Sequence, residues 1–159
     1  MTALEVLPIE WHMIGSLQKN KINKLIDLRP TLMQSLDSLS LAEELNKKLE
    51  AKNTKLNCLL QINAANEESK SGFSTKEAYD MYHTIKETCP NIKLKGVMTI
   101  GAHSEDSKLI QKSFENTYAI YEELKKEGAS ICSMGMSADY ALAIKCGSNL
   151  VRVGSSLFK

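Results

Sequence analysis

Two stretches near the C-terminus carry residue types that can hold an anion. They are Ser133-Met134-Gly135-Met136-Ser137-Ala138-Asp139 and Val151-Arg152-Val153-Gly154-Ser155. Each is a small-residue turn next to an apolar run, and a helix-like segment, residues 140–146, lies between them and stops at Gly147. Glycine lets backbone N–H groups come close to an anion. Ser137 can cap the following helix, and a helix N-terminus offers unpaired N–H groups and the positive end of its dipole. Ser133, Gly135 and Ser137 could equally form a plain capping turn, with Gly154 and Ser155 a C-terminal turn. Two such turns side by side favour one shared anion site. Arg152 adds a charge inside the otherwise apolar strand Leu150-Val151-Arg152-Val153. A buried arginine is costly unless paired, so its partner is either an anionic ligand at the strand end or a carboxylate such as Asp139.

Other polar residues leave alternatives open. His12 stands beside Trp11, and strand alternation puts it on the same face as Ile14. It is either a packed, hydrogen-bonded side chain or a wall of the pocket, where a neutral imidazole can donate or accept. The run Glu67-Glu68-Ser69-Lys70-Ser71-Gly72 is either a solvated loop or part of a functional rim, with Asn63 at the strand tip. The basic run at residues 19–24 reads as a solvated helix face, and Met98, Met134 and Met136 as core or pocket wall. The four cysteines lack C-x-x-C spacing, which fits reduced structural thiols rather than a metal site and points to the cytoplasm.

These residues need a scaffold. The chain has 159 residues, 43% hydrophobic and 25% charged, with a formal net charge of +1. That length suits a single domain, residues 1–159, with a real core. A near-neutral chain gives no bulk reason to bind nucleic acid or an anionic membrane. No apolar run approaches the roughly 20 residues of a membrane span, and residues 1–10 lack the pattern of a secretory signal. Strand and helix signals alternate throughout. Strands are expected at residues 9–14, 33–36 (weak), 56–62, 94–100, 130–134 and 150–153. Helices are expected at 17–28, capped by Ser16 and stopped by Pro30; from Ser40, with Leu41, Leu45 and Leu49 in one stripe; and from the Ser74-x-x-Glu77 capping box to about Thr88. Two more are expected at 106–127, stopped by Gly128, and at 138–146. Roughly six strands and five helices in alternation imply a mostly parallel sheet with right-handed crossovers. Pattern alone does not separate an open doubly wound sheet from a barrel.

The same segments carry a resemblance. Ser133-Met134-Gly135-Met136-Ser137-x-Asp139, Ala143-Ile144-x-x-Gly147-Ser148 and Val151-Arg152-Val153-Gly154 resemble the closing signature of the pyridoxal-phosphate homeostasis protein family (YggS-like). Ile9-Glu10-Trp11-His12-Met13-Ile14-Gly15-x-Leu17-Gln18-x-Asn20-Lys21, Asn63 with Glu67-Glu68-Ser69-Lys70-Ser71-Gly72-Phe73, and Gly96-Val97-Met98-Thr99-Ile100-Gly101 resemble its earlier motifs, in family order. The resemblance implies an α/β fold: a (β/α)8 TIM-type barrel of the alanine racemase N-terminal kind. It implies pyridoxal 5'-phosphate as cofactor and a role in its storage, protection or delivery, without established catalytic turnover. It also implies cofactor contacts at Ser133, Met134, Gly135, Ser137, Arg152, Gly154 and Ser155, with His12 and Met98 lining the pocket. The family opens with a strand bearing the Schiff-base lysine and a second strand with a G-E-N-Y motif, and nothing in residues 1–159 corresponds to either. Closing such a barrel takes about eight strands. The expectation is therefore an incomplete barrel of about six strands, shortened at its N-terminus, or one completed by another copy or chain through exposed sheet edges. Two other readings are a truncated or mis-started fragment without cofactor function, and an alanine-racemase-like enzyme. The latter would need the first-strand lysine and a tyrosine from a further β-domain.

Overall fold

The computed structural model describes residues 7–159, so the reading of residues 1–10 as free of a signal falls in part outside the described residues. Seven strands are described: β1 His12–Met13, β2 Leu32–Leu36, β3 Leu56–Asn63, β4 Phe73–Ser74, β5 Ile92–Thr99, β6 Ile131–Met136 and β7 Leu150–Arg152. Five α-helices accompany them: α1 Ile22–Leu28, α2 Leu39–Ala51, α3 Ala78–Thr88, α4 Ser107–Lys125 and α5 Tyr140–Lys145. The sheet order is β1-β2-β3-β5-β6-β7, with β4 paired to the end of β3. Every pairing is parallel. This is the order that βαβ crossovers produce when each new strand joins the same growing edge.

The two faces of the sheet have different cores. The helices cover one face and bury a large cluster that includes Leu45, Leu60, Tyr82, Ile85, Val97, Phe114 and Met134. The other face is concave and holds a small cluster of Leu32, Leu59 and Met98, packed by Ile131 and Leu150. These five residues come from β2, β3, β5, β6 and β7. Gln34 of β2 also reaches Ser133 of β6 across that face. A flat sheet would hold these strands far apart, since neighbouring strands are about 4.8 Å from each other. The sheet is therefore curled: an α/β incomplete TIM-type barrel with six strands in its main path.

Local chemistry explains where the elements depart from expectation. The strand expected at residues 9–14 pairs only at His12–Met13. The first helix is split into a 3-10 turn, Lys19–Lys21, and α1; Gln18 rather than Ser16 precedes the turn, without a side-chain cap. The weak candidate β2 is buried at all five residues, because it lies between two neighbours under the helix layer. Helix α2 is capped by Ser38, whose Oγ accepts from Leu41 N, and not by Ser40, whose Oγ accepts from Lys19 Nζ at 2.5 Å. Ser74 Oγ accepts from Glu77 N at 3.3 Å, one half of the expected capping box. Asp106 caps α4.

One glycine is fixed by contact between strands. Gly96 has φ +149°, and a Cβ there would lie 1.8 Å from the carbonyl oxygen of Ile131. It sits opposite Ile131 in the β5–β6 pairing and opposite Leu59 where the β3–β5 register shifts. Replacing it forces the two strands apart and strains the backbone. Gly96→Ala is expected to cost more than about 2 kcal/mol of stability, measured by urea unfolding followed by circular dichroism. A loss within experimental error would show that the strands adjust freely here.

Candidate functional site

Arg152 ends β7 and is 9% exposed. Its Nη1 donates to Ser133 Oγ at 2.5 Å and its Nη2 to the carbonyl of Thr99 at 2.8 Å. Both acceptors are neutral. No carboxylate comes within 4.0 Å of the guanidinium among the described residues. Burial pulls the Arg152 pKa below its ordinary value, and the more distant Asp139 opposes that fall. An arginine stays charged in any case. The close Asp139 pair that the sequence left open is thus not formed. Asp139 Oδ1 instead accepts from Met136 N at 2.7 Å. A buried cation with only neutral partners is an unfinished arrangement, which an anion would complete.

The two C-terminal turns do meet. Met136, Ser137, Ala138, Asp139, Gly154 and Ser155 line one cavity of about 860 Å³, together with Lys70 and residues 100–105. Ser137 does not cap α5, as the sequence suggested. Its Oγ accepts from Gly154 N at 3.0 Å and Ser156 N at 3.3 Å, stitching one turn to the other. With both lone pairs engaged, its own proton is left to donate into the cavity. Among the described residues no acceptor meets the amides of Ala138 and Ser155. Helix α5 has only six residues, so its dipole is small and the turns themselves supply the N–H groups. Gly135 has φ +96°, and a Cβ there would lie 2.7 Å from Ala143 Cβ. A side chain there would push α5 off β6, so packing alone requires glycine at this position.

The other expected site residues divide by face. Ser133 is fully buried on the concave side. Met134, one residue on, is fully buried in the helix-side core, so its side chain faces away from any ligand. Met98 fills the concave cluster. His12 does not line the large cavity. It lines one of about 490 Å³ with Glu10, Thr31, Leu32, Asn57, Lys95, Ser130, Ile131, Asn149 and Leu150. It still touches the site indirectly, since its Nδ1 is 3.0 Å from Gln34 Nε2. Lys70 lies at the cavity rim, where its Nζ donates to the Gly101 carbonyl at 2.7 Å and pairs with Glu67 at 3.3 Å. Sequence reading missed three partners: Gln34, the Thr99 carbonyl, and the Glu67 carboxylate that accepts from His103 N at 3.0 Å. Only Gln34, a long polar residue inside the apolar strand Leu32–Leu36, gave any signal.

A curled parallel sheet with helices on its outer face defines the class of fold, and comparison agrees. Residues 6–159 match the alanine racemase, N-terminal domain family. Over its full length the chain is 56% identical to a Helicobacter pylori pyridoxal phosphate homeostasis protein, 71% of which it covers. It is 37% identical to the human protein of that name, with 94% of this chain and 58% of the human one covered. The structure of PipY from Synechococcus elongatus with PLP bound superposes with a TM-score of 0.83 at 26% identity, covering 99% of this chain and 74% of that one. An alanine racemase of Clostridium difficile shares the fold, with a TM-score of 0.77 at 18% identity over 94% of this chain and 41% of the racemase. The chain belongs to the pyridoxal phosphate homeostasis protein family. No helix among the described residues is long and apolar enough to cross a membrane.

Glu67 clasps the loop that forms the cavity wall. The His103 amide, and next Lys70, hold its carboxyl below the usual carboxylate range. A carboxylate depressed in the folded state stabilises above its unfolded pKa, and the contribution is lost as pH falls through the folded one. The protection of the His103 amide, the slowing of its hydrogen exchange relative to an unstructured chain at the same pH, should therefore be high near neutral pH and fall as the pH drops through and below the usual carboxylate range. Glu67→Gln should weaken that pH dependence. Equal protection at both ends of the range would show that the clasp does not hold the loop.

Proposed function

We propose that this chain binds pyridoxal 5'-phosphate and serves in its storage, protection or delivery, without turning over a substrate of its own. The observation that carries the reading is the buried Arg152, hydrogen-bonded only to neutral groups, two residues before a turn that lines the large cavity. The donors on the cavity wall fit a phosphate monoester: the Ala138 and Ser155 amides and the Ser137 and Ser155 hydroxyls would hold it, with Arg152, which is not itself in the wall, adding its charge from two residues before Gly154. A cavity of about 860 Å³ lies within the usual range for a cofactor-sized ligand. Bound there, the group would supply a reactive aldehyde on an electron-poor ring. The chain's own part is to fix the phosphate and wall off the rest behind residues 100–105. Lys70, at the rim, is already engaged by Gly101 and Glu67. The names of the relatives and the PLP-bound PipY structure support the assignment. The four free cysteines suit a reducing compartment such as the cytoplasm.

The assignment predicts a ligand preference. Wild-type protein should bind pyridoxal phosphate at least about 10-fold more tightly than pyridoxal, a difference of about 1.4 kcal/mol. Arg152→Ala should lose most of that preference, measured by absorbance or calorimetric titration. Equal affinity for both ligands in both proteins would sink the phosphate site.

We further propose that the chain associates through its sheet edges. β1 and β7 are the outermost strands, and exposed edges pair readily with other chains. Trp11 beside β1 is 50% exposed and Phe158 beyond β7 is 88% exposed, and such apolar surface promotes association. Sedimentation should show a concentration-dependent oligomer, reduced by Trp11→Ser or Phe158→Ser. A monomer at every concentration would overturn this proposal.

A further inference from the structure

We infer that Gln34 is a positioning residue for Arg152. With Ser133 it forms a one-way chain of hydrogen bonds that ties the guanidinium to the tautomer of His12. The inference rests on the reading of Arg152 as the group that binds the cofactor's phosphate.

The direction of the chain follows from what each group can do. A guanidinium only donates, so Ser133 Oγ accepts from Arg152 Nη1. Ser133 is fully buried, and its own proton needs an acceptor. Among the described residues that acceptor is Gln34 Oε1, 2.6 Å away. The Gln34 side chain is itself 1% exposed, so its amide is held with Nε2 toward His12 Nδ1 at 3.0 Å. An amide NH2 group only donates, so Nδ1 has to be bare and the imidazole proton has to sit on Nε2. Turning the Gln34 amide over would let His12 donate from Nδ1. It would also give Ser133 Oγ two donors and strand its proton in a dry place, a penalised state. The charge on β7 thus selects the tautomer on β1 through three hydrogen bonds. The chain crosses the concave face without using β3 or β5 side chains, while the Thr99 carbonyl of β5 fixes the other guanidinium nitrogen. The charged side chains sharing the His12 cavity are Glu10, before β1, and Lys95, on β5. Neither is on the chain of hydrogen bonds.

The test reads the imidazole directly. The protein has three histidines, His12, His83 and His103. Long-range 1H–15N spectra of the whole ligand-free chain at about pH 8, where imidazoles are neutral, resolve tautomers, with His12 assigned through His12→Gln. Wild type should show His12 protonated at Nε2. Gln34→Glu offers only acceptors, so His12 should switch to donating from Nδ1. Gln34→Leu should abolish the tautomer preference and weaken pyridoxal phosphate binding on the order of 10-fold. An Nδ1–H tautomer in wild type, or no switch in Gln34→Glu, would overturn the inference; the wild-type measurement decides even if a variant fails to fold. If wild type shows the Nε2–H tautomer but no preference for pyridoxal phosphate over pyridoxal, the chain of bonds stands and the phosphate reading falls. The opposite pattern overturns the chain alone.

Discussion

A positive charge that no carboxylate among the described residues contacts sits at the end of β7, and the concave face is arranged around it. Burying a guanidinium costs several kcal/mol unless its N–H groups find acceptors. Arg152 finds them in the Thr99 carbonyl and the Ser133 hydroxyl, which draws the ends of β5, β6 and β7 together. Ser133 then passes the demand for an acceptor to Gln34, which lies on the other side of the concave face. A single charge thereby ties together groups on four strands, side chains on β2, β6 and β7 and a backbone carbonyl on β5. The same charge makes this end of the sheet attractive to an anion, because a phosphate would supply the opposite sign that the protein withholds.

Two layers of packing keep this polar chain in place. On the outer face the amphipathic helices bury side chains such as Leu45, Phe114 and Leu124 against β2, β3, β5 and β6. On the inner face Leu32, Leu59 and Met98 form an apolar floor that keeps water from competing for the buried hydrogen bonds. Residues along one strand serve both layers: Ser133 points inward and Met134 outward. A shift of one residue in the register of β6 would exchange them. Gly96 and Gly135 stand where strand meets strand and strand meets helix, and each gives up a side chain so that neighbours can close in.

Much of this was readable in the sequence, and the failures have physical causes. The alternation of strands and helices was visible because helix stripes such as Leu41, Leu45 and Leu49 must face the sheet. Arg152 stood out because a charge inside an apolar strand requires an explanation. Ser137 was expected to cap the following helix and instead ties the two turns together. Hydroxyl partners depend on packing between turns: Ser137 holds Gly154 and Ser156, while Asp139 takes the Met136 amide. β4 escaped notice because two residues carry no periodicity. Met134 was left open as core or pocket wall, because a parallel strand that is apolar on both faces hides which way each residue points; its side chain is core. Gln34 could not be tied to Ser133, since 99 residues separate them and only the curl of the sheet brings them together.

The geometry also separates the groups proposed to hold the anion from those that surround it. The turns at residues 136–139 and 154–156, with Arg152, belong to β6, β7 and α5, consecutive in the chain and stitched by Ser137. The wall at residues 100–105 is different: it is held from the β3 side through Lys70 and Glu67. His12 is more remote still, on the outermost strand β1, and is linked to Arg152 only through the side chains of Gln34 and Ser133. Phosphate affinity should therefore depend on the last two strands and, through Gln34, on β2, whereas access to the rest of the ligand is governed by loops from the middle of the sheet. A fold of this kind can hold a reactive cofactor firmly by its inert end while leaving the reactive end to be covered or released, which is what storage and delivery require.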